Sequence, residues 1–295
     1  IMQKKTKIDA FGAIALISFS LLLGINHVVI KIVNLGLNPI FFAGIRSFIA
    51  FIFIIIWMKL FNKPIVFNSK YAKISFIAGL IFALEFLFLF LALDFTTVSR
   101  NSIIYYSMPL WLTILLFFTK SNEKISFLKF IGLILAFIGV VLSVTNFKIN
   151  LILNSPNLIG DILAFLAALF WALLIIIAKN SSFSKVSPEM QLLWMVMVSG
   201  PILTIFSLFI EDPIRNFQLI HIWGILFQSI IVVAGGFLFW LWLLSKYPAS
   251  GVASFSFLTP IFTIFFGWLI LSEVMTFDFI IAAFLVISGL ILINR

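Results

Sequence analysis

Apolar runs of about twenty residues, separated by short polar breaks, occupy most of this sequence. Ten of them approach the roughly 20 residues that a helix needs to cross the hydrocarbon core of a bilayer. Charged residues make up only 10% of the 295-residue chain, against about 25% in soluble domains. We therefore expect an all-α membrane protein with ten transmembrane helices, near residues 10–31, 39–61, 72–93, 97–119, 125–146, 158–179, 187–210, 220–244, 249–271 and 276–293.

The positions of lysine and arginine predict the orientation, because short cytoplasmic loops retain these cations. With the N-terminus placed inside, fourteen of the nineteen cations fall on the cytoplasmic side. Both termini are therefore expected to be cytoplasmic. The lean toward Ile, Phe, Lys and Asn favours a bacterium, and hence its inner membrane. We interpret the net charge of +9 as a consequence of these cytoplasmic cations, and we expect no nucleic-acid partner.

Several chemical classes are disfavoured by what the sequence lacks. The chain has no cysteine and only two histidines, and it has no glycine-rich phosphate loop, HExxH or Gly-x-Ser-x-Gly motif. We expect no catalytic residue, no metal and no cofactor. The lysine-containing segment 1–9 precedes an apolar run without a small-residue cleavage site. We interpret that run as a retained first helix rather than a signal peptide.

The two halves of the chain share a spacing pattern. Ser99 and Pro109 are ten residues apart, as are Ser250 and Pro260. Other pairs keep their spacing too: Glu123 to Gly139 and Glu273 to Gly289 are sixteen apart, and Gly12 to Lys31 and Gly160 to Lys179 are nineteen apart. The repeating unit is therefore five helices.

An odd number of crossings per unit makes the second copy enter the membrane from the opposite side. We therefore expect two inverted repeats, over residues 10–146 and 158–293, with a cytoplasmic N-terminus at 1–9 and an external linker at 147–157. Inverted repeats around a central site are typical of secondary transporters that work by alternating access.

The segment GINHVVIKIVNLGLNPIFFAGIRS resembles the EamA-type family of the drug/metabolite transporter superfamily. That family's pattern reads Trp-Gly-x-Asn-Phe-x-x-x-Lys, followed by Pro-Pro and Arg. Residues in the matching places are Asn26, Lys31, Pro39 and Arg46, whereas Leu23 replaces the tryptophan and His27 departs from the usual phenylalanine. Further matches along almost the whole chain are Pro109, Glu123, Gly132, Gly139, Gly160-Asp161, Trp171-Ala172, Pro260, Glu273 and Gly289.

The resemblance implies ten helices around a central cavity, lined mostly by the first, third, fourth, sixth, eighth and ninth. It also implies carriage of small metabolites, often amino acids and frequently outward. It does not identify the substrate, the coupling ion or the oligomeric state.

Glu85 is the first candidate for the transport site, because it is the only carboxylate near the middle of any span. Buried polar groups cost several kcal/mol when unsatisfied, so Glu85 needs a partner, a cavity or a ligand. It would bind a substrate amine or carry a proton. The alternative is that Glu85 forms a structural ion pair with Arg46. Arg46 itself would either bind a substrate carboxylate or serve in helix packing.

Other polar residues are candidates for binding or coupling. Asn26 and Gln228 offer amides to a cavity, although interhelical hydrogen bonding would explain them equally. His27 is a candidate proton relay, against the alternative of a packed histidine. Arg100 begins the fourth helix beside Asn101 and is a candidate entry-site cation or an interfacial anchor.

Aromatic and small residues complete the candidates. Tyr105, Trp111 and Trp171 would present π-faces to a cationic or aromatic solute, or else pack against lipid and protein. The candidate moving contacts are Pro109 and Pro260, which bend helices, and the small residues Gly235, Gly236, Ser250 and Gly251.

These features favour a secondary transporter of a small polar metabolite, with an amino acid or related zwitterion preferred, export expected, and a proton as a candidate coupling ion. The alternative is uptake of a cationic or quaternary amine. It is favoured if Glu85 and at least two of Tyr105, Trp111 and Trp171 face one void. A channel or a membrane-embedded enzyme is a third class, disfavoured by the missing filter and catalytic motifs.

Overall fold

The computed structural model describes residues 5, 7–118, 126–145, 158–210, 212–273 and 278–293. Helices are the only extended regular elements in these ranges. We number them α1 (Ala10–Asn34), α2 (Pro39–Leu60), α3 (Ser69–Phe95), α4 (Val98–Tyr105), α5 (Met108–Phe118), α6 (Phe127–Thr145), α7 (Leu158–Asn180), α8 (Pro188–Ser207), α9 (Leu219–Lys246), α10 (Ala249–Leu271) and α11 (Asp278–Ile293). Within α9, Phe227–Phe237 is π-helical, and within α10, Phe255–Phe257 forms a 3₁₀ turn.

Seven of these helices, α1, α2, α3, α7, α8, α9 and α10, are long and apolar enough to cross a membrane. The chain is therefore an integral, multi-pass membrane protein. Helix also occupies the other three predicted ranges, but in shorter apolar stretches. Ten crossings thus stay a prediction. The linker 147–157 and Glu123 lie outside the described residues.

Helix starts follow from short polar side chains that accept hydrogen bonds from otherwise unpaired backbone N–H groups. Asn38 accepts from the N–H groups of Ile40 and Phe41, and Pro39 opens α2 at a position that needs no donor. Thr97 caps α4 and Ser187 caps α8 in the same way. These local signals place the helix starts independently of the packing.

The fourth predicted span is interrupted, so the prediction of one helix over 97–119 is wrong. The helix α4 ends at Tyr105 and α5 begins at Met108, with a turn at Tyr106 and Ser107. Pro109 explains the break, because proline has no N–H to donate and its ring clashes with the carbonyl four residues earlier, at Tyr105, where α4 ends.

Small residues allow close helix packing at two places. In the pair α6 and α11, a Cβ on Gly132 would lie 2.7 Å from the backbone oxygen of Gly289. In the pair α2 and α8, the hydroxyl of Ser199 lies 3.0 Å from that of Ser47. Larger side chains at these positions would separate the helices.

Two lysines at the ends of helices have equivalent partners. The Lys31 Nζ donates to the carbonyls of Leu93 and Thr96, at 2.6 and 2.9 Å, where α3 ends. The Lys179 Nζ donates to the carbonyls of Leu244, at 2.7 Å, and Tyr247, where α9 ends. Each lysine satisfies carbonyls that a helix terminus leaves unpaired.

Before the first helix, Asp9 caps α1 by accepting from the N–H of Gly12. Its carboxylate also accepts hydrogen bonds from the Lys5 ammonium and the Tyr247 hydroxyl. These partners favour the ionised form and hold the pKa of Asp9 below its ordinary value. They join the start of α1 to the end of α9.

Candidate functional site

A central cavity of about 30 Å³ lies among α1, α3, α4, α7, α8 and α9. Its walls are mostly apolar or aromatic: Phe19, Leu23, Asn26, His27, Phe82, Glu85, Phe86, Leu89, Tyr105, Tyr106, Trp171, Leu174, Leu192, Met195, Phe237, Trp240 and Leu241. The volume admits about two water molecules and no metabolite.

The ninth predicted helix, α10, lines an adjoining smaller cavity of about 10 Å³ instead, through residues that include Val252, Ser256 and Thr259. The seventh, α8, contributes Leu192 and Met195 to the central cavity. The lining therefore differs from the implied set by one helix, because the seventh predicted helix lines the central cavity in place of the ninth.

Glu85 reaches the central cavity from α3 and is 2% exposed. The Tyr105 hydroxyl donates to its Oε1 at 2.8 Å, whereas Oε2 has no hydrogen-bond partner. Glu85 forms no salt bridge with Arg46, so the direct ion pair that the sequence left open is absent. One oxygen of this cavity-lining carboxylate is thus buried without a donor.

Aromatic rings form the wall beside Glu85. Tyr105 and Trp171 stack with ring centroids 4.8 Å apart and planes 18° apart, and Tyr106 meets both at steep angles. The carboxylate and these π-faces together suit a cation, because rings attract cations over their faces. Trp111 is elsewhere: its Nε1 donates to Ser107 Oγ at 2.8 Å and its ring packs on Phe165.

His27 is fully buried and bonded through both ring nitrogens. Its Nε2 lies 3.1 Å from the Tyr106 hydroxyl, and its Nδ1 lies 3.2 Å from the Asn101 amide nitrogen. An amide nitrogen donates only, so Nδ1 accepts and Nε2 carries the proton. This arrangement fixes the ring as a neutral member of the cavity wall.

Arg46 lies behind the cavity wall. Its guanidinium is 0% exposed and stacks on the rings of Phe86 and Phe90, at 3.9 and 5.0 Å from their centroids. Its Nη1 donates to Gln228 Oε1 at 3.4 Å, and Gln228 in turn donates to Asn26 Oδ1. The Nε and Nη2 groups have no partner. Phe86 separates this cation from the cavity.

Arg100 is bound by a carboxylate outside the cavity. Its Nε and Nη2 donate to the two oxygens of Asp161 at 2.7 and 2.6 Å, in a bidentate pair that joins α4 to α7. Ser99 and the backbone N–H of Val98 donate to Glu273 nearby, which follows α10. The start of α4 is therefore attached to the second half of the chain by two carboxylates.

The candidate gating residues have different surroundings. Gly236 packs closely, because a Cβ there would lie 2.9 Å from Leu22. Gly235 is exposed, and a Cβ would meet only the carbonyl of Ile230 in its own helix, so the expected close approach at Gly235 is wrong. Pro260 follows the 3₁₀ turn in α10, where Ser250 and Gly251 lie in the first turn.

Sequence reasoning missed three features of the site. The stacking of Phe86 on Arg46 could not be predicted, because nothing in the sequence distinguishes Phe86 from the many other phenylalanines. The π-helical segment that carries Gln228 gives no periodic pattern. Asp161 belongs to the family match, but its pairing with Arg100, 61 residues away, leaves no local pattern in the sequence. Within the described ranges, no group of three or more His, Asp or Glu residues is placed to hold a metal.

A sequence profile of the EamA-like transporter family matches this chain twice, over residues 10–145 and 158–295. Similar curated proteins are an uncharacterized transporter, YoaV, of Bacillus subtilis, 25% identical over 94% of both chains, and another, YvbV, 27% identical over 92% of this chain and 87% of its own. An uncharacterized transporter of Archaeoglobus fulgidus is 24% identical over 81% of this chain and 80% of its own.

A solved crystal structure superposes on this chain with a TM-score of 0.78, covering 97% of this chain and 98% of its own. The identity is 13%, so the two share a fold.

Proposed function

Because the chain belongs to the EamA-like transporter family, we propose that it is a secondary transporter whose central cavity binds a small solute bearing a protonated amine. The observation that carries this proposal is the unpaired Oε2 of Glu85 in a cavity that Tyr105 and Trp171 also line. A carboxylate and two aromatic faces around one void meet the condition that favours an amine.

Alternating access is the proposed mechanism, and the helix directions support it. Lys31 joins the ends of α1 and α3, which therefore run in the same direction. Gly160, at the start of α7, contacts Thr96 at the end of α3. The helices α1 and α7, which begin the two matched repeats, thus run in opposite directions, as inverted repeats require.

The small volume of the central cavity also suits alternating access, because a carrier passes through a state without an open binding cleft. The bidentate pair of Arg100 and Asp161 joins α4 to α7 at one end of the helices. The contacts of Lys179 with Leu244 and Tyr247, and of Lys63 with Glu189, lie at the other. We place the first end outside, in the inner membrane of a bacterium, from the cation distribution.

A proton is the proposed coupling ion. Glu85 is the single carboxylate among the described residues that line the cavity, and its Oε2 has no hydrogen-bond partner. A proton and an ammonium group would compete for it, so that release of one permits binding of the other. Export, which the family resemblance implies, would then follow from an inward proton gradient.

An amino acid is the second candidate substrate, and Arg46 favours it. The unpaired Nε and Nη2 of Arg46 would bind a carboxylate if the ring of Phe86 moved aside. We rank amines first, reversing the order preferred from sequence, because Arg46 does not line the cavity and Arg100 already binds Asp161.

Three solutes that share a phenyl ring and differ in their charged groups distinguish these candidate substrates: phenethylamine, phenylalanine and 3-phenylpropionate. A ligand that binds the folded state raises its stability by about 2.7 kcal/mol at a hundred times Kd. We expect phenethylamine to raise the Tm of the detergent-purified protein, and Glu85→Gln to remove that rise. Asp212→Asn, a change at an exposed carboxylate outside the cavity, is the matched control and should keep it.

Phenylalanine tests the second candidate. A rise in Tm that Arg46→Lys removes for phenylalanine but not for phenethylamine would favour the amino acid. A rise with 3-phenylpropionate and none with either amine would contradict the proposal of an amine site.

A further inference from the structure

A second void, of about 670 Å³, lies between α2, the start of α8 and the second half of α9. It shares no lining residue with the central cavity. We call it the side groove. Its lining includes Phe53 and Trp57 from α2, Gly235, Leu238 and Trp242 from α9, and Lys63 at its rim.

The side groove opens on the surface that faces lipid. Phe53 and Phe239 on its two walls are 38% and 39% exposed, and Gly235 on its floor is exposed. Of the seven candidate spans, α9 is buried least, with 33% of its apolar window inside the protein. In a bilayer, a void of this size and polarity is filled by acyl chains, because empty apolar space forfeits dispersion contacts.

The rim of the side groove carries an excess of positive charge. The Lys63 Nζ lies 3.5 Å from Glu189 Oε1, and the lysine side chain remains 45% exposed. Lys246 places its Nζ 3.9 Å from the ring centroid of Trp242, which lines the groove. The groove therefore has one lysine and one carboxylate in its lining and a second lysine against one of its lining rings, a combination that suits a lipid phosphate.

We propose that the side groove binds one anionic phospholipid, with an acyl chain against Gly235 and Leu238 and its headgroup phosphate at Lys63 and Lys246. The lipid lies against α9 within the π-helical segment, on the face opposite to Phe237, which lines the central cavity. The bound lipid thus supports the helix that separates groove from cavity.

The test is native mass spectrometry of the detergent-purified protein with added phosphatidylglycerol or phosphatidylcholine. We expect the protein to retain one phosphatidylglycerol in preference to phosphatidylcholine. Lys63→Ala should weaken retention about five-fold, the effect of one cation near a phosphate. Gly235→Leu should abolish it, because the new side chain enters open space in the groove.

Matched variants separate these effects from loss of folding. Lys59→Ala removes an exposed cation in the last turn of α2 that does not line the groove, and Gly235→Ala is too small to fill it. Both should retain the lipid and the Tm of the parent. Equal retention of the two lipids, retention by Gly235→Leu, or detergent alone in the groove would overturn the proposal.

Discussion

The unpaired oxygen of Glu85 creates a preference for cations in the central cavity. A buried ionised carboxylate is stable only when its oxygens are paired, and an unmet hydrogen bond costs about 1–3 kcal/mol or more for a charged group. Tyr105 satisfies one oxygen and nothing satisfies the other. Any state in which an ammonium group or a proton reaches Oε2 is therefore favoured.

Tyr105→Phe should lower the free energy of unfolding by about 1–3 kcal/mol, because it leaves the Glu85 carboxylate without its one donor. Thermal unfolding in detergent measures the change. Tyr71→Phe, near the start of α3 and remote from the cavity, is the control and should match the parent protein. Equal Tm values for the two variants would show that this hydrogen bond contributes nothing.

Residue positions were predictable where one residue type was rare. Glu85 stood out because no other acid lies in the middle of a span. Arg46 was visible as a charge, but its environment was not, since Phe86 is one of 38 phenylalanines and only packing turns its ring onto the guanidinium. The partner of Arg100 lies 61 residues away in the other repeat, so no local pattern joins them.

At the scale of elements, a largely buried ion pair joins α4 to α7 at the end of the helices that we propose to be external. The Arg100 and Asp161 side chains are only 15% and 10% exposed, and their two hydrogen bonds have the geometry of a strong charge-assisted pair. Breaking such a pair costs more than breaking a surface salt bridge.

Asp161→Asn should shift the protein toward an outward-open state, since a hydrogen bond to a charged group contributes about 1.5–3 kcal/mol, or roughly ten-fold or more in population. The chain has no cysteine, so Leu89→Cys introduces a single label site in the cavity. Labelling by a membrane-impermeant maleimide from outside should rise in Asp161→Asn. It should not rise in Glu189→Gln, which breaks a pair at the other end. Unchanged labelling in both variants would contradict the proposal that the Arg100 and Asp161 pair keeps the outer end shut.

Gly132→Ala should destabilise the contact of α6 with α11 by about 1–3 kcal/mol, because the added methyl would lie 2.7 Å from a backbone oxygen. The same substitution at Gly235 meets open space and should be neutral or stabilise slightly. Chemical unfolding of the two variants compares them directly. A neutral Gly132→Ala would mean that the two helices separate without cost.

Helices were predictable from hydropathy, whereas their internal breaks were not. The starts at Pro39 and Pro188 coincide with proline and a preceding polar cap. Pro109 predicts either a bend or a break in the helix before it, and helix propensity alone does not decide between the two. The π-helical segment of α9 leaves no sequence signature, because it differs from α-helix only in how the backbone pairs.

At the scale of the whole molecule, the contacts group several cations at one end of the helices, and which end is cytoplasmic stays a prediction. Lys5 bonds through its backbone to Lys246, and Lys179 bonds near the same end of α9. Arg215 pairs with Asp94 at the opposite end of α3 from Tyr71. The closure of the cavity between these ends could not be read from the sequence, since it depends on how two repeats pack.

The central claim is that Glu85 in a closed cavity binds the transported amine and competes for it with a proton. Uptake of labelled phenethylamine into proteoliposomes, driven by an outward-directed proton gradient across the vesicle, tests it most directly. We expect wild type and Asp212→Asn, a change at an exposed carboxylate, to accumulate the amine beyond the passive trapping in protein-free liposomes, and Glu85→Gln to show no uptake beyond it. If Glu85→Gln transports at the wild-type rate with the wild-type pH dependence, Glu85 is structural and the claim is wrong.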